Sequence, residues 1–345
     1  MAIRVLVVED SNFIRKRIIE ILQEDPDLKV VGSAANGEEA IKQTLALRPD
    51  VITMDIAMPV MDGVSAVRAI MRQCPTRILM LSAATRIGAQ ATMDALAAGA
   101  ADFMPKQFDG VDAHTARAML RARVKVLGTR SVSHESPPAK VPSAPRAAVY
   151  RSAKCEVLVI AASTGGPLAI QKILTQMPAE FRLPIVLIQH MPPQFTLSFA
   201  ERLDHLCRIQ VKQAEQGDVL RPGLALLAPG GYQLEIERAV SSAHVELRRA
   251  RSDEHYSPSA DVTLMSFAKY YGKSVLALIL TGMGADGKKG AESLKRGGST
   301  VWAQSQRSCT VYGMPKAVID ASLADRIYDL DDFALELRQF VNGHA

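Results

Sequence analysis

Apolar and polar positions change rhythm repeatedly along the first 127 residues. Short apolar runs at 4–8, 30–34, 51–54, 77–82 and 101–104 read as buried strands. Between them apolar residues recur at three- and four-residue spacing, as in 14–23 and 37–46, which predicts amphipathic helices. Five strands alternating with helices predict a parallel sheet wound on both faces. Residues 128–153, GTRSVSHESPPAKVPSAPRAAVYRSA, lose this periodicity and are rich in Pro, Ser and Ala. Such a segment buries too little surface to offset its ordering entropy, so a flexible linker is expected. Strand-like runs resume at 157–161, 184–189, 224–228, 233–237 and 274–280, and Val301 and Trp302 open another. A hairpin is expected within 224–250 and a terminal helix at 333–341. The expected organisation is therefore α/β throughout: a five-stranded doubly wound domain at 1–127, a linker at 128–153, and a mainly parallel doubly wound domain at 154–345.

Length agrees with two cores, since 345 residues exceed what one core usually serves. The net charge of +5 is small, and the basic cluster Arg248, Arg249 and Arg251 has no interleaved aromatics. It reads as a solvated face, and nucleic acid is not an expected partner. Cys74, Cys155, Cys207 and Cys309 lie far apart without a Cys-x-x-Cys spacing, which argues against a zinc site or a disulfide framework. A reducing, cytoplasmic location fits them best. No apolar run approaches the roughly 18 residues of a membrane-spanning helix, so direct membrane insertion is not expected. The opening MAIRVLVVED lacks a small-residue cleavage site and reads as a strand.

In open parallel sheets, ligands bind beyond the carboxyl ends of the strands. In the first domain those ends carry Glu9 and Asp10, then Asp55, then Ser82, with Lys106 after the fifth strand. Three converging carboxylates repel unless a cation joins them, and hard oxygen ligands suit Mg²⁺. The lysine would complement added anionic oxygens. With DIAMPVMDG at 55–63 and the stretch 99–106, the whole domain resembles the receiver domain of two-component response regulators, a flavodoxin-like fold. The resemblance implies that Asp55 accepts a phosphoryl group from a histidine kinase. It further implies that Glu9, Asp10 and Asp55 hold Mg²⁺, that Lys106 contacts the phosphoryl oxygens, and that Ser82 and Phe103 form the switch. Glu9 stands where aspartate is more usual, and Gln107 replaces the usual proline.

In the second domain the first strand runs into Ser163-Thr164-Gly165-Gly166, and Pro167 is a suitable first helical residue. Ser163 or Thr164 could cap that helix, the glycines could expose amides to an anion, or Ser163 could act as a nucleophile. The anion reading lacks a P-loop lysine. A nucleophile needs a base and an orienting carboxylate, and other strand ends supply both. His190 follows the run 184–189, and Asp286 follows 274–280 within TGMGADG. Nucleophile, general base and orienting acid would thus share one crevice. The Met283 N–H is the amide chosen for an oxyanion hole, with Thr164 lining the same crevice. Asp261 and Asp218 are alternative acids on spacing alone, His255 is a crevice residue without an assigned role, and His134, His205 and His244 read as ordinary surface or packed residues.

ASTGG at 162–166, QHMPP at 189–193, PSADV at 258–262, TGMGADG at 281–287 and YGMP at 312–315 resemble the chemotaxis protein-glutamate methylesterases. The motifs stand in that family's order, behind a receiver as in that family; Ala285 takes a position often held by asparagine. The resemblance implies hydrolysis of glutamate γ-methyl esters on chemoreceptor signalling domains, companion deamidation of glutamines, and control by phosphorylation. It implies Mg²⁺ for receiver phosphorylation alone and no cofactor for the ester chemistry. The rival class is a non-catalytic binding module whose Ser-Thr-Gly-Gly loop grips an anion under receiver control. A receiver-linked transcription factor would need a basic recognition helix, which the sequence does not offer.

Overall fold

Strands buried on both faces need apolar residues at every position, and the chain supplies two sets of them. In a computed structural model describing residues 2–83, 85–109, 113–129, 155–238 and 243–343, the first set forms one domain. Its elements are β1 (Ile3–Val8), α1 (Asn12–Gln23), β2 (Leu28–Ala34), α2 (Gly37–Leu47), β3 (Val51–Asp55), α3 (Gly63–Gln73), β4 (Arg77–Ser82), α4 (Arg86–Ala97), β5 (Asp102–Pro105) and α5 (Ala113–Gly128). The sheet is parallel, in the order β2-β1-β3-β4-β5. The chain reverses direction across the sheet between β1 and β3, which opens a crevice at their carboxyl ends.

The second domain comprises β6 (Val157–Ala162), α6 (Gly166–Leu174), β7 (Ile185–Gln189), α7 (Pro193–Leu206), β8 (Gln210–Gln213), β9 (Leu224–Leu227), β10 (Tyr232–Arg238), β11 (Ala243–Arg249), α8 (Ala260–Tyr271), β12 (Val275–Ile279), α9 (Lys288–Arg296), β13 (Thr300–Gln304), α10 (Met314–Asp320), β14 (Arg326–Tyr328) and α11 (Phe333–Asn342). Its seven-stranded parallel sheet runs β14-β13-β12-β6-β7-β9-β8. Leu276 and Leu278 of β12 face one core layer, while Val275, Ala277 and Ile279 face the other. That alternation is why β12 is apolar throughout. The expected hairpin is present as the antiparallel pair β10–β11, which forms a separate two-stranded sheet. The short edge strands β8 and β14 had no clear periodicity to announce them. The proposed linker at 128–153 falls outside the described residues from 130 onward, and Gly128 ends α5.

The two domains touch through α4 and β5 of the first and α7 of the second. Phe103 of β5 meets Phe195 of α7 with ring centroids 4.6 Å apart. Both rings are buried, so the contact is part of a continuous apolar cluster. Arg202 of α7 pairs with Asp94 of α4 at 2.7 Å, and Arg86 with Glu201 at 3.2 Å. The second pair is largely solvated and adds little, whereas the aromatic contact is the anchor.

Candidate active site

At the β1/β3 crevice, carboxylate oxygens of Glu9, Asp10 and Asp55 lie within 4.8 Å of one another. Lys106 follows β5 and places Nζ 2.8 Å from Glu9 Oε2 and 2.6 Å from Asp55 Oδ1. Burial pushes the Glu9 carboxyl above its ordinary range and Asp55 adds to the rise, against the opposing hydrogen bond from Lys106. Three oxygen donors needing a cation between them fit Mg²⁺. Gly63 packs where any Cβ would strike the Asp55 carbonyl, which lets the loop after β3 fold back beneath the aspartate. Ser82 is fully buried; its hydroxyl lies 3.2 Å from the Gly88 carbonyl in the first turn of α4 and accepts from Thr92 at 2.9 Å. Phe103 is turned into the domain interface. The peptide before Gln107 is trans, the Ser257–Pro258 bond being the cis one among the described residues.

In the second domain β6 lies between β12 and β7, so Ser163, His190 and the turn after β12 emerge side by side. Ala162 is in register with Gln189, which sets Ser163 beside His190. The Ser163 amide donates to the Thr281 carbonyl at 3.0 Å, and Gln189 Nε2 donates to the Ser163 carbonyl at 2.9 Å. Gly282 allows this close approach, since a Cβ there would stand 2.8 Å from the Ser163 Cβ. Gly165, in a left-handed conformation, is the residue before α6, and no side chain caps that helix. The helix-cap reading of Ser163 is thereby removed. Ser163 is 7% exposed, at the floor of the crevice.

His190 Nε2 lies 2.7 Å from Asp286 Oδ2, while Nδ1 is buried without a hydrogen-bond partner. Asp286 is held at the N-terminus of α8. Besides His190 it accepts from the Ser259 hydroxyl at 3.0 Å and from the amides of Ala260, Asp261 and Gly287 at 2.7, 2.9 and 3.1 Å. Burial alone would raise this carboxyl's pKa, but His190 and the backbone donors outweigh it and hold the group below its ordinary range. This favours the anionic form of Asp286, which can only accept a hydrogen bond from Nε2.

Met283 stands at the crevice rim, and among the described residues its N–H has no protein acceptor. Thr164 is buried, and its hydroxyl is directed at Asp102 of the first domain, whose carboxylate also pairs with Arg123 at 2.8 Å. Asp261 accepts from Gly287 and Gly290 amides at 2.9 and 2.8 Å and caps α9; Asp218 closes a turn with Glu215 and Lys212. Neither faces His190. His255 and His205 are exposed, and His134 lies outside the described residues. Arg249 and Arg251 are exposed, whereas Arg248 is half-buried in ion pairs with Glu235 and Glu254 and is not part of a freely solvated face. Sequence reasoning missed Ser259 and the α8 amides as the seat of Asp286, although they belong to the PSADV motif. It also missed Tyr256, stacked on His190, and Phe195 as the partner of Phe103; no spacing announced either contact.

Fold and sites together define a class: a receiver domain joined to an α/β domain with a serine, a histidine and an aspartate at its topological switch point. The profile of the family described as "CheB methylesterase" matches residues 158–337, and that of "Response regulator receiver domain" matches residues 5–117. Curated relatives match along nearly their whole length, and two of them illustrate the likeness. One is the protein-glutamate methylesterase/protein-glutamine glutaminase of group 1 operon from Pseudomonas putida, 48% identical over 98% of this chain and 99% of its own. The other is protein-glutamate methylesterase/protein-glutamine glutaminase 1 from Pseudomonas aeruginosa, 49% identical with the same coverage. The crystal structure of the Thermotoga maritima CheB methylesterase catalytic domain, 38% identical, superposes with a TM-score of 0.53 over 55% of this chain and all of its own. The chain belongs to the CheB methylesterase family and carries that family's receiver domain. This displaces the binding-module reading.

Asp261 offers a check on the local architecture. Asp261→Ala is expected to leave the buried Gly290 amide unpaired, with Gly287 still held by Asp286, and to lower stability in urea unfolding by about 1–3 kcal/mol. Unchanged stability would mean that Asp261 does not cap α9.

Proposed function

We propose that this chain hydrolyses γ-methyl esters of glutamate, and deamidates glutamines, on the signalling helices of chemoreceptors in the cytoplasm. Ser163 is the nucleophile, His190 the general base and Asp286 the orienting carboxylate. One observation carries the assignment: Asp286 accepts a hydrogen bond from His190 Nε2, while Nδ1 is buried without a partner at the strand end next to that of Ser163. Nδ1 removes the Ser163 proton as Oγ attacks the ester carbonyl. The resulting oxyanion accepts from the Met283 N–H, with Thr164 on the opposite wall. Nδ1 then returns the proton to departing methanol. Water repeats the cycle on the acyl-serine and releases the glutamate carboxylate. An amide leaves less readily than methanol, so deamidation is the slower reaction. No step calls for a cofactor.

Asp55 receives the phosphoryl group from the histidine kinase of the pathway. Mg²⁺ held by Glu9, Asp10 and Asp55 would neutralise charge as phosphoryl oxygens arrive, and Lys106 would turn from the carboxylates to those oxygens. Ser82 and Thr92 both bond the Gly88 carbonyl in the first turn of α4, so drawing the Ser82 hydroxyl towards the phosphoryl group removes one of two holds on that turn. Helix α4 carries Asp94 and Arg86, which pair with α7, while Asp102 and Phe103 cover Thr164 and Phe195. These contacts support a reading in which the unphosphorylated receiver covers the crevice and restrains the esterase. A change of about 1.4 kcal/mol in this contact shifts the open population tenfold when that state is the minor one.

Three measurements test these roles. Asp286→Asn is expected to keep the fold and lose about 10⁴-fold in methanol release, roughly 5.5 kcal/mol, because the amide favours the wrong tautomer; near-normal turnover would remove Asp286 from the mechanism. Asp55→Asn is expected to stay unlabelled by a small phosphodonor, and wild type to stay unlabelled in excess chelator. Labelling in either case would refute the acceptor or the metal respectively. A fragment starting near Tyr150 should outrun the unphosphorylated full-length protein and ignore the phosphodonor. A slower fragment would mean that the receiver assists catalysis instead of covering the crevice.

A further inference from the structure

Tyr256 precedes the α8 N-terminus and lies flat on the catalytic histidine: the rings of Tyr256 and His190 have centroids 4.3 Å apart and planes 8° from parallel. Its placement is built from the same parts that seat Asp286. Gln233, fully buried, donates to the Tyr256 carbonyl at 2.7 Å and accepts from the Ser259 amide at 2.8 Å. Ser259 in turn donates to Asp286. The far end of the phenol reaches the turn after β12, where a Cβ added to Gly284 would stand 2.8 Å from Tyr256 Oη. The ring therefore spans from the Asp286 seat to the residue beside Met283.

A single hydrogen bond at Nε2 fixes one atom of an imidazole. The ring remains free to swing about the line from Cβ to Nε2, and that swing carries Nδ1 away from Ser163. A parallel ring against one face blocks the swing on that side and excludes water from it. The same π face favours the imidazolium that forms when Nδ1 takes the serine proton. We propose that Tyr256 is a positioning residue of the esterase, its planar ring holding the His190 imidazole in the orientation that aims Nδ1 at Ser163. The inference rests on the roles proposed for Ser163, His190 and Asp286.

The test uses full-length protein with phosphodonor, methylated receptor membranes as substrate, and kcat and KM as separate readouts. Tyr256→Leu fills much of the space without a planar face, Tyr256→Ala removes it, and Tyr256→Phe keeps the ring without the hydroxyl. The Leu and Ala variants should lose about 10- to 100-fold in kcat with KM changed less than about threefold, and Phe should restore most of kcat. Near-normal kcat in the Leu variant, a loss confined to KM, or a Phe variant as slow as Leu would overturn the role of the ring. Ser163→Ala and His190→Ala, assayed alongside, separate the two levels. If they stay active the triad roles fail, whereas if they are dead and Tyr256→Leu is normal only the clamp fails.

Discussion

The carboxylate of Asp286 is the fixed point of the catalytic half. Five donors converge on it, three of them backbone amides around the start of α8 and the following turn. An anion inside a protein is costly unless it is satisfied in this way. Once satisfied, it neither rotates nor readily takes a proton, so it presents a fixed acceptor to His190 Nε2. The imidazole is held by Nε2, and its other nitrogen is left for chemistry. Every element around the crevice serves that arrangement: α8 supplies amides, β12 delivers the turn, and β6 and β7 set serine beside histidine.

The receiver has a comparable fixed point in Lys106, which bridges Glu9 and Asp55 across the strand ends. Three carboxylates packed this closely store repulsion that one ammonium only partly relieves. That imbalance makes the cluster fit a divalent cation. The connection between the halves is short. Asp102 and Phe103 are adjacent on β5, and they meet Thr164, just after Ser163, and Phe195 of α7. Lys106 lies just beyond the same strand. The carboxylate cluster of one domain and its contact with the other are thus separated by the length of β5.

Much of this was legible in the chain. Apolar runs marked the long buried strands because a strand covered on both faces has no polar side, as in β6, β7 and β12. The residues at their carboxyl ends were legible as well, since parallel topology forces strand ends to one edge whatever the helices do. Asp55, Ser163, His190 and Asp286 could be read for that reason. Edge strands such as β14 were not legible, because three half-exposed residues carry no period.

Tertiary structure alone decided which nitrogen of His190 meets Asp286, that Asp261 caps a helix instead of orienting the base, and that Phe103 is spent on Phe195. It also decided that Tyr256 lies on the imidazole. Asp261 and Asp286 are the same residue type, both near the crevice, and nothing in their spacing separates them. Sequence records which groups reach a sheet edge, because strand period and direction are local properties. Which of two equivalent groups faces a third depends on side-chain directions set by packing between distant segments, and that information exists only in the folded chain.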